Sequence, residues 1–294
     1  MSLLVEPISS SNVVTAQSLG SGSSGNALLI TAGETTLLVD CGIGIRSLRA
    51  TFTGHDRHLR DLSALLITHE HRDHVQAVPR VVRENLPIVA TAGTARAARL
   101  PLEQTSVISH ERPVSIAGAT IHALPVRHDA TEPCGYLIEI AGAKITVLTD
   151  LGTWQDHLAE AAMASDLVLL EANYNATMLR HGPYPAYLKR RVASGMSHLC
   201  NEICGRAIAP IAKYRGAKTT WWLSHLSQTN NSPNQALVDV REQLQRQDVD
   251  TSITPLPRQE PGPRWTFQPP SARMNATFAM PVDTSAQLGI PGIE

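Results

Sequence analysis

Short apolar runs recur along the chain, and each stops at a polar or ionisable side chain. Leu37-Leu38-Val39 stops at Asp40, Leu65-Leu66-Ile67 at Thr68 and His69, and Ile145-Thr146-Val147-Leu148-Thr149 at Asp150. Leu167-Val168-Leu169-Leu170 stops at Glu171, and Trp221-Trp222-Leu223-Ser224 at His225. Continuous apolar runs this short predict buried strands. Residues 27–31 and 35–40, separated by Ala32-Gly33-Glu34, predict a β-hairpin with a glycine-containing turn. Helical stretches are expected at 154–164, within 184–214 and at 234–247. The last carries a capping Ser232, Pro233 in the first turn and Gln235 in capping-box position. Strands mixed with helices predict an α/β fold, with sheets covered by helices. Strand ends at one sheet edge can converge on a single cleft.

From residue 251 the character changes. The last 44 residues hold eight of the 19 prolines, little periodicity and few charges. They predict an irregular tail lying across the surface, with Trp265 and Phe267 as anchors. The expected organisation is a catalytic domain over residues 1–250 and a Pro-rich tail over 251–294.

Composition narrows the class. A chain of 294 residues, 43% hydrophobic and without an apolar run of membrane-spanning length, reads as a soluble globular protein. Its N-terminus lacks the basic start and apolar core of a secretory signal. The four cysteines, Cys41, Cys134, Cys200 and Cys204, are too few and too scattered for a disulfide scaffold, so a cytoplasmic location is expected. The net charge of −1 neither requires nor excludes a polyanionic substrate. Arg80, Arg83, Arg96 and Arg99, and then Lys189-Arg190-Arg191, read as solvated faces.

The densest chemistry is Thr68-His69-Glu70-His71-Arg72-Asp73-His74, placed between an apolar run and a helix-like segment. Imidazole and carboxylate are ligands of zinc, iron or manganese, and a strand-to-helix junction holds them firmly. A second motif, Gly20-Ser21-Gly22-Ser23-Ser24-Gly25, matches a dinucleotide fingerprint in spacing. That fingerprint works only where a helix follows, and here a hairpin follows. The glycines make a turn, or let backbone approach a ligand.

The H-x-H-x-D-H spacing after a strand resembles the signature of the metallo-β-lactamase superfamily. The resemblance implies a four-layer αββα sandwich and two adjacent divalent ions, zinc first, with manganese or iron as alternatives. It points to His128 before Cys134-Gly135-Tyr136, to Asp150 in Leu148-Thr149-Asp150-Leu151-Gly152, and to His225 in Leu223-Ser224-His225-Leu226-Ser227. By that resemblance His69, His71 and His128 bind one ion, Asp73, His74 and His225 the other, and Asp150 bridges them. Asp40 either orients the histidine loop or caps a turn. The remaining histidines, His55, His58, His110, His122, His157 and His181, lack ligand spacing and read as surface residues.

Segments from both halves narrow the resemblance to the bacterial YycJ/WalJ/VicX group. They are Ser21-Gly22-Ser23-Ser24-Gly25-Asn26-Ala27, the Leu170-Glu171-Ala172-Asn173 and Ser197-His198-Leu199-Cys200-Asn201 segments, and Ser227-Gln228-Thr229-Asn230-Asn231-Ser232-Pro233. Where that group has Asn-His-Asp, this chain has Asn173-Tyr174-Asn175; where it has Gly-His-Leu-Ser-Asn, this chain has Ser197-His198-Leu199-Cys200-Asn201. The resemblance implies nuclease-type phosphodiester hydrolysis of DNA or RNA through a metal-bridging hydroxide, which Asp73 or Asp150 orients. His198 is the expected proton donor to the leaving alkoxide, with Glu171 orienting it. Two other readings are a small-molecule hydrolase, such as a cyclic phosphodiesterase, lactonase or thioesterase, and a metal-stabilised scaffold without activity.

Overall fold

The computed structural model describes residues 13–269. Among them, one sheet contains β1 (Val14–Gly20), β2 (Ala27–Ala32), β3 (Thr35–Val39), β4 (Ala64–Leu66), β5 (Ile88–Ala90) and β6 (Thr105–Val107). The other contains β7 (Val114–Ile116), β8 (Ala119–Pro125), β9 (Cys134–Ile140), β10 (Ala143–Leu148), β11 (Leu167–Glu171), β12 (Thr220–Ser224) and β13 (Ile253–Pro255). A last strand, β14 (Arg264–Phe267), returns to the first sheet beside β1, so each sheet has seven strands.

Alternate side chains of one strand enter two different cores, which is why the runs read as apolar throughout. Leu37 and Val39 face the second sheet, in a core shared with Tyr136, Ile138, Leu169 and Trp222. Leu38 points the other way, toward Leu48 and Phe52. On the second sheet Leu167 and Leu169 face inward while Val168, Leu170, Trp221 and Leu223 face outward.

Helices cover both outer faces. The first sheet carries α1 (Ile45–Gly54), α2 (Arg72–Val75), α3 (Val78–Val81) and α4 (Ala92–Ala97). Beyond the second sheet come α5 (Asp156–Ala164), α6 (Ala176–His181), α7 (Ala186–Val192), α8 (Asn201–Arg215) and α9 (Pro233–Gln245). Leu158, Cys204, Ile208, Val240 and Leu244 of α5, α8 and α9 pack on the outward residues of β11 and β12. Burying one such large aliphatic side chain contributes about 1.5–3 kcal/mol. The layers are helix, sheet, sheet, helix, as expected from the sequence.

Local signals hold in detail. The β2–β3 hairpin turns at Gly33, whose φ of 55° suits glycine. The Ser232 hydroxyl caps α9 by accepting from the Gln235 amide at 3.1 Å. The return bond of a capping box is replaced, because Asn231 Oδ1 accepts from the Ser232 amide.

Two expectations need correction. The helical stretch within 184–214 divides into α7 and α8. Between them the chain is drawn alongside the end of β11: the Asn173 amide donates to the Leu199 carbonyl at 2.9 Å and Asn201 to the Tyr174 carbonyl at 3.0 Å. That pairing requires extended backbone, and it carries His198.

The segment from residue 251 is not an irregular tail in its described part. β13 pairs in parallel with β12, and β14 pairs antiparallel with β1, so a boundary at residue 250 would cut both sheets. Between these strands the chain crosses from one sheet to the other, and the Ser21 amide donates to the carbonyls of Pro257 and Arg258, both at 3.2 Å. Trp265 and Phe267 do act as anchors: they stack at 5.9 Å and pack against the inter-sheet core. Residues 270–294 of the expected tail, and the N-terminal residues that were read for a signal, lie outside the described residues.

Candidate metal centre

β3 runs parallel to β4, and β10, β11 and β12 run parallel to one another, so their C-terminal ends meet at one edge of the sandwich. Three residues just past these ends have left-handed backbone: Asp40 (φ 59°), Asp150 (φ 54°) and His225 (φ 53°). For non-glycine residues this conformation costs about 1–2 kcal/mol each. It turns each chain sharply, and all three side chains are buried in one cluster.

The expected ligands come together in overlapping groups, and Asp150, Glu171, His198 and His225 form one further group of this kind that the resemblance does not imply. His69, His71 and His128 bring ligand atoms within 4.8 Å of one another, and so do Asp73, His74 and His225. Asp150 joins His69 and His74 in a third such group, drawn from both sets. Its Oδ2 lies 2.9 Å from His74 Nε2, and its Oδ1 lies 3.6 Å from His128 Nε2 and 3.4 Å from His225 Nδ1.

Protein groups fix how the imidazoles face. His74 Nδ1 donates to Asp40 Oδ2 at 2.7 Å, His128 Nδ1 to the Ser197 carbonyl at 2.8 Å, and His225 Nδ1 to Glu171 Oε1 at 2.8 Å. Each ring therefore turns its other nitrogen, with a free lone pair, toward the centre. Asn26 Nδ2 lies 3.0 Å from His74 Nε2 and borders it on one side. Asp40, also accepting from the Thr68 amide and hydroxyl, thus orients the histidine loop.

The site calls for positive charge. His74 Nε2 and Asp150 Oδ2 are two acceptors 2.9 Å apart, and His69 Nε2 and Asp150 Oδ2 are buried without a hydrogen-bond partner. Five imidazoles and two carboxylates converging in this way suit divalent cations. Without a cation, a proton fills the gap: burial disfavours charge on His74, but Asp150 and Asp40 outweigh it and raise its pKa to about 10. Burial would also raise Asp150, yet His225 and His74 hold it well below the usual carboxylate range. Burial and then His74 hold His69 well below the usual imidazole range.

Glu171 does more than the sequence led us to expect. One oxygen, Oε1, accepts from His198 Nδ1 at 2.9 Å as well as from His225. The other accepts from the backbone amides of Leu151 at 2.6 Å and Leu199 at 3.1 Å. Burial opposes its ionisation, but His198 and the other donors outweigh it and keep it anionic. His198 is partly exposed beside the cluster, with its Nδ1 turned to Glu171.

Several positioning residues lie in segments the sequence singled out, but it assigned them no role at the site. Asn26 bonds to the Asp73 carbonyl and to His74, Ser21 Oγ accepts from the His225 amide at 2.8 Å, and Asn173 Nδ2 donates to the His225 carbonyl at 2.8 Å. Glu70 accepts from the Thr131 amide at 2.8 Å and so ties down the loop bearing His128. Asn175, where the resembling group has Asp, caps α6 and donates to Asp239 at 2.8 Å. Among the described residues, the six remaining histidines are exposed or half-buried and enter none of these groups.

Residues 35–221 match the family described as Beta-lactamase superfamily domain. The chain is 31% identical over 233 residues to Exodeoxyribonuclease YycJ of Bacillus anthracis, a match covering 77% of this chain and 88% of that protein. It is likewise 31% identical over 243 residues to Exodeoxyribonuclease WalJ of Streptococcus pneumoniae, covering 80% and 90%. Among solved structures, the metallo-beta-lactamase fold protein YhfI from Bacillus subtilis aligns with a TM-score of 0.65 at 19% identity, over 87% of this chain and all of that one (100%). With this fold, these strand-end histidines and these relatives, the chain belongs to the beta-lactamase superfamily, in the group of YycJ and WalJ.

Proposed function

We propose that this protein is a metal-dependent phosphodiesterase that degrades DNA, as an exodeoxyribonuclease. The observation that carries the proposal is the Glu171–His198 pair set beside the imidazole and carboxylate cluster. His69, His71 and His128 would hold one divalent ion and Asp73, His74 and His225 a second, with Asp150 shared. Bound ions supply charge neutralisation at phosphate oxygens and an acidified water, with zinc the first candidate and manganese or iron close behind.

The chain's own residues handle the leaving group. Water oxygen bonds to phosphorus, the opposite P–O bond breaks with its electron pair kept by the leaving oxygen, and His198 Nε2 supplies that oxygen's proton. The proton released by water restores His198 through solvent. Glu171 fixes the imidazole by accepting from Nδ1 at 2.9 Å, which leaves Nε2 as the nitrogen that handles the leaving oxygen's proton. Four cysteines, all free and buried, fit a cytoplasmic protein.

The test is a panel of DNA and RNA oligonucleotides and bis-p-nitrophenyl phosphate, run with elemental analysis of the same sample. Cleavage of DNA by the wild type and none by Asp150→Ala, with the fold retained by circular dichroism, is the expected outcome. A metal-loaded protein that leaves every member of the panel uncut refutes the proposal.

A further inference from the structure

A pocket of about 180 Å³ opens on the His198 side of the cluster, and Tyr184, Leu188, Arg191, Val192 and Asn230 are among the residues lining it with His198. Asn230 is its unusual member. The residue is fully buried, at 0% exposure, yet neither its Nδ2 nor its Oδ1 has a hydrogen-bond partner. Its backbone is fully used, the amide donating to Ser227 Oγ at 3.1 Å and the carbonyl accepting from Asn175 at 2.9 Å. The side chain is therefore not needed to hold the loop. A buried polar group left without partners costs about 1–3 kcal/mol, a cost that a ligand bonded to the amide would remove.

The other walls define that ligand. Tyr184 and Leu188 pack with Val192 on a small core around Tyr174, giving one aromatic and aliphatic side. Arg191 is held in place by Asp129, with Nε at 2.7 Å and Nη2 at 2.6 Å, and Asp129 lies 3.4 Å from His128. An aromatic and aliphatic wall beside a buried, unpartnered amide matches a nucleobase, which offers a π-face and a hydrogen-bonding edge. The volume is below the roughly 300 Å³ of an ordinary small-molecule site, so it admits one ring system and not two nucleotides.

We infer that this pocket receives the base of the nucleotide whose oxygen departs, with the Asn230 amide on the base edge and Tyr184 against its face. The inference rests on the phosphodiesterase reading, since His198 lines the pocket and serves the leaving oxygen. It makes the unit released a single nucleotide, seated before its bond is cut.

The experiment is calorimetric binding of deoxyadenosine 5′-monophosphate and of 2-deoxyribose 5-phosphate to the full-length wild type, Asn230→Leu and Tyr184→Ala. The nucleotide is expected to bind the wild type about 10-fold or more tightly than the base-less sugar phosphate, as one stacked base contributes. Each variant is expected to lose that preference while its affinity for the sugar phosphate and its metal content stay unchanged. Tyr184 is half-buried, so its variant serves even if Asn230→Leu fails to fold. Equal affinity of the wild type for both ligands, or variants that weaken both alike, overturns the inference. A protein that shows the base preference yet cuts no oligonucleotide keeps the pocket and refutes the nuclease reading instead.

Discussion

Glu171 Oε1 and His225 Nδ1 are joined by a 2.8 Å hydrogen bond between two buried side chains at neighbouring strand ends. The same carboxylate serves His198 and two backbone amides, so all its acceptor capacity is committed. A glutamine here has one acceptor end only. Whichever way it turns, its NH₂ meets either two imidazole donors or two backbone donors. Glu171→Gln is expected to lower kcat by about 10²–10⁴-fold, the usual worth of a positioned acid, and to weaken ion binding at His225 by about 10–100-fold. Turnover and metal titration on the same preparation check both; wild-type values in each would refute the assignment.

The metal-free protein should be most stable near pH 6.5. His74 has a folded pKa of about 10 against 6.5 when unfolded, so its contribution is full below 6.5 and fades as pH rises toward 10. His225, also raised, acts in the same direction. His69 is depressed and buried neutral, so it costs stability once pH falls below 6.5. The depressed Asp150 adds a loss at still lower pH, as it falls through the folded pKa of that carboxyl. A divalent ion held by His74 and Asp150 would take the place of the His74 proton. Metal should therefore flatten the alkaline limb of stability, and its binding between pH 6.5 and 10 should release protons. Denaturant midpoints with and without chelator, and calorimetry in buffers of different ionisation enthalpy, read both effects.

Gly42 lies where no side chain fits. A Cβ there would sit 1.6 Å from the Asp73 carbonyl oxygen and 2.8 Å from the His74 nitrogen, while one at Gly44 would meet nothing within 4 Å. Gly42→Ala should push α2 off the strand end, reducing stability by about 3 kcal/mol, the upper end of ordinary overpacking. Ion affinity should fall with it. Gly44→Ala is the matched control, and equal behaviour of the two variants in denaturation and metal titration would refute the close-packing argument.

The candidate ligands were legible because the His69–His74 cluster carries a family signature, and that resemblance then points to His128, Asp150 and His225, the last two just past apolar runs. The groups that hold them were not. Asn26 reaches His74 across 48 residues and Ser21 reaches His225 across 204, and no local pattern encodes such pairings. The tail was misread for a related reason. β13 and β14 are short strands at sheet edges, with a single neighbour each, so their sequences need little alternation, and Pro255 is tolerated where an interior strand would exclude it. His198 was found by motif, but its place outside a helix depends on the pairing of Cys200, two residues on, with Tyr174 past the end of β11, which helical periodicity cannot reveal.

The crossing between β13 and β14 has a consequence for the distance between the two halves of the cluster. His69, His71, Asp73 and His74 ride on one sheet, whereas His128, Asp150 and His225 ride on the other. Whatever sets how the sheets sit against each other also sets the gap between the two sets of candidate ligands. Residues 256–263 clasp both edges at once and bond to the Ser21 turn that holds His225. They work as a tie-bar beside the inter-sheet core, joining the two halves of the candidate ligand set through a stretch of chain that contributes none of it.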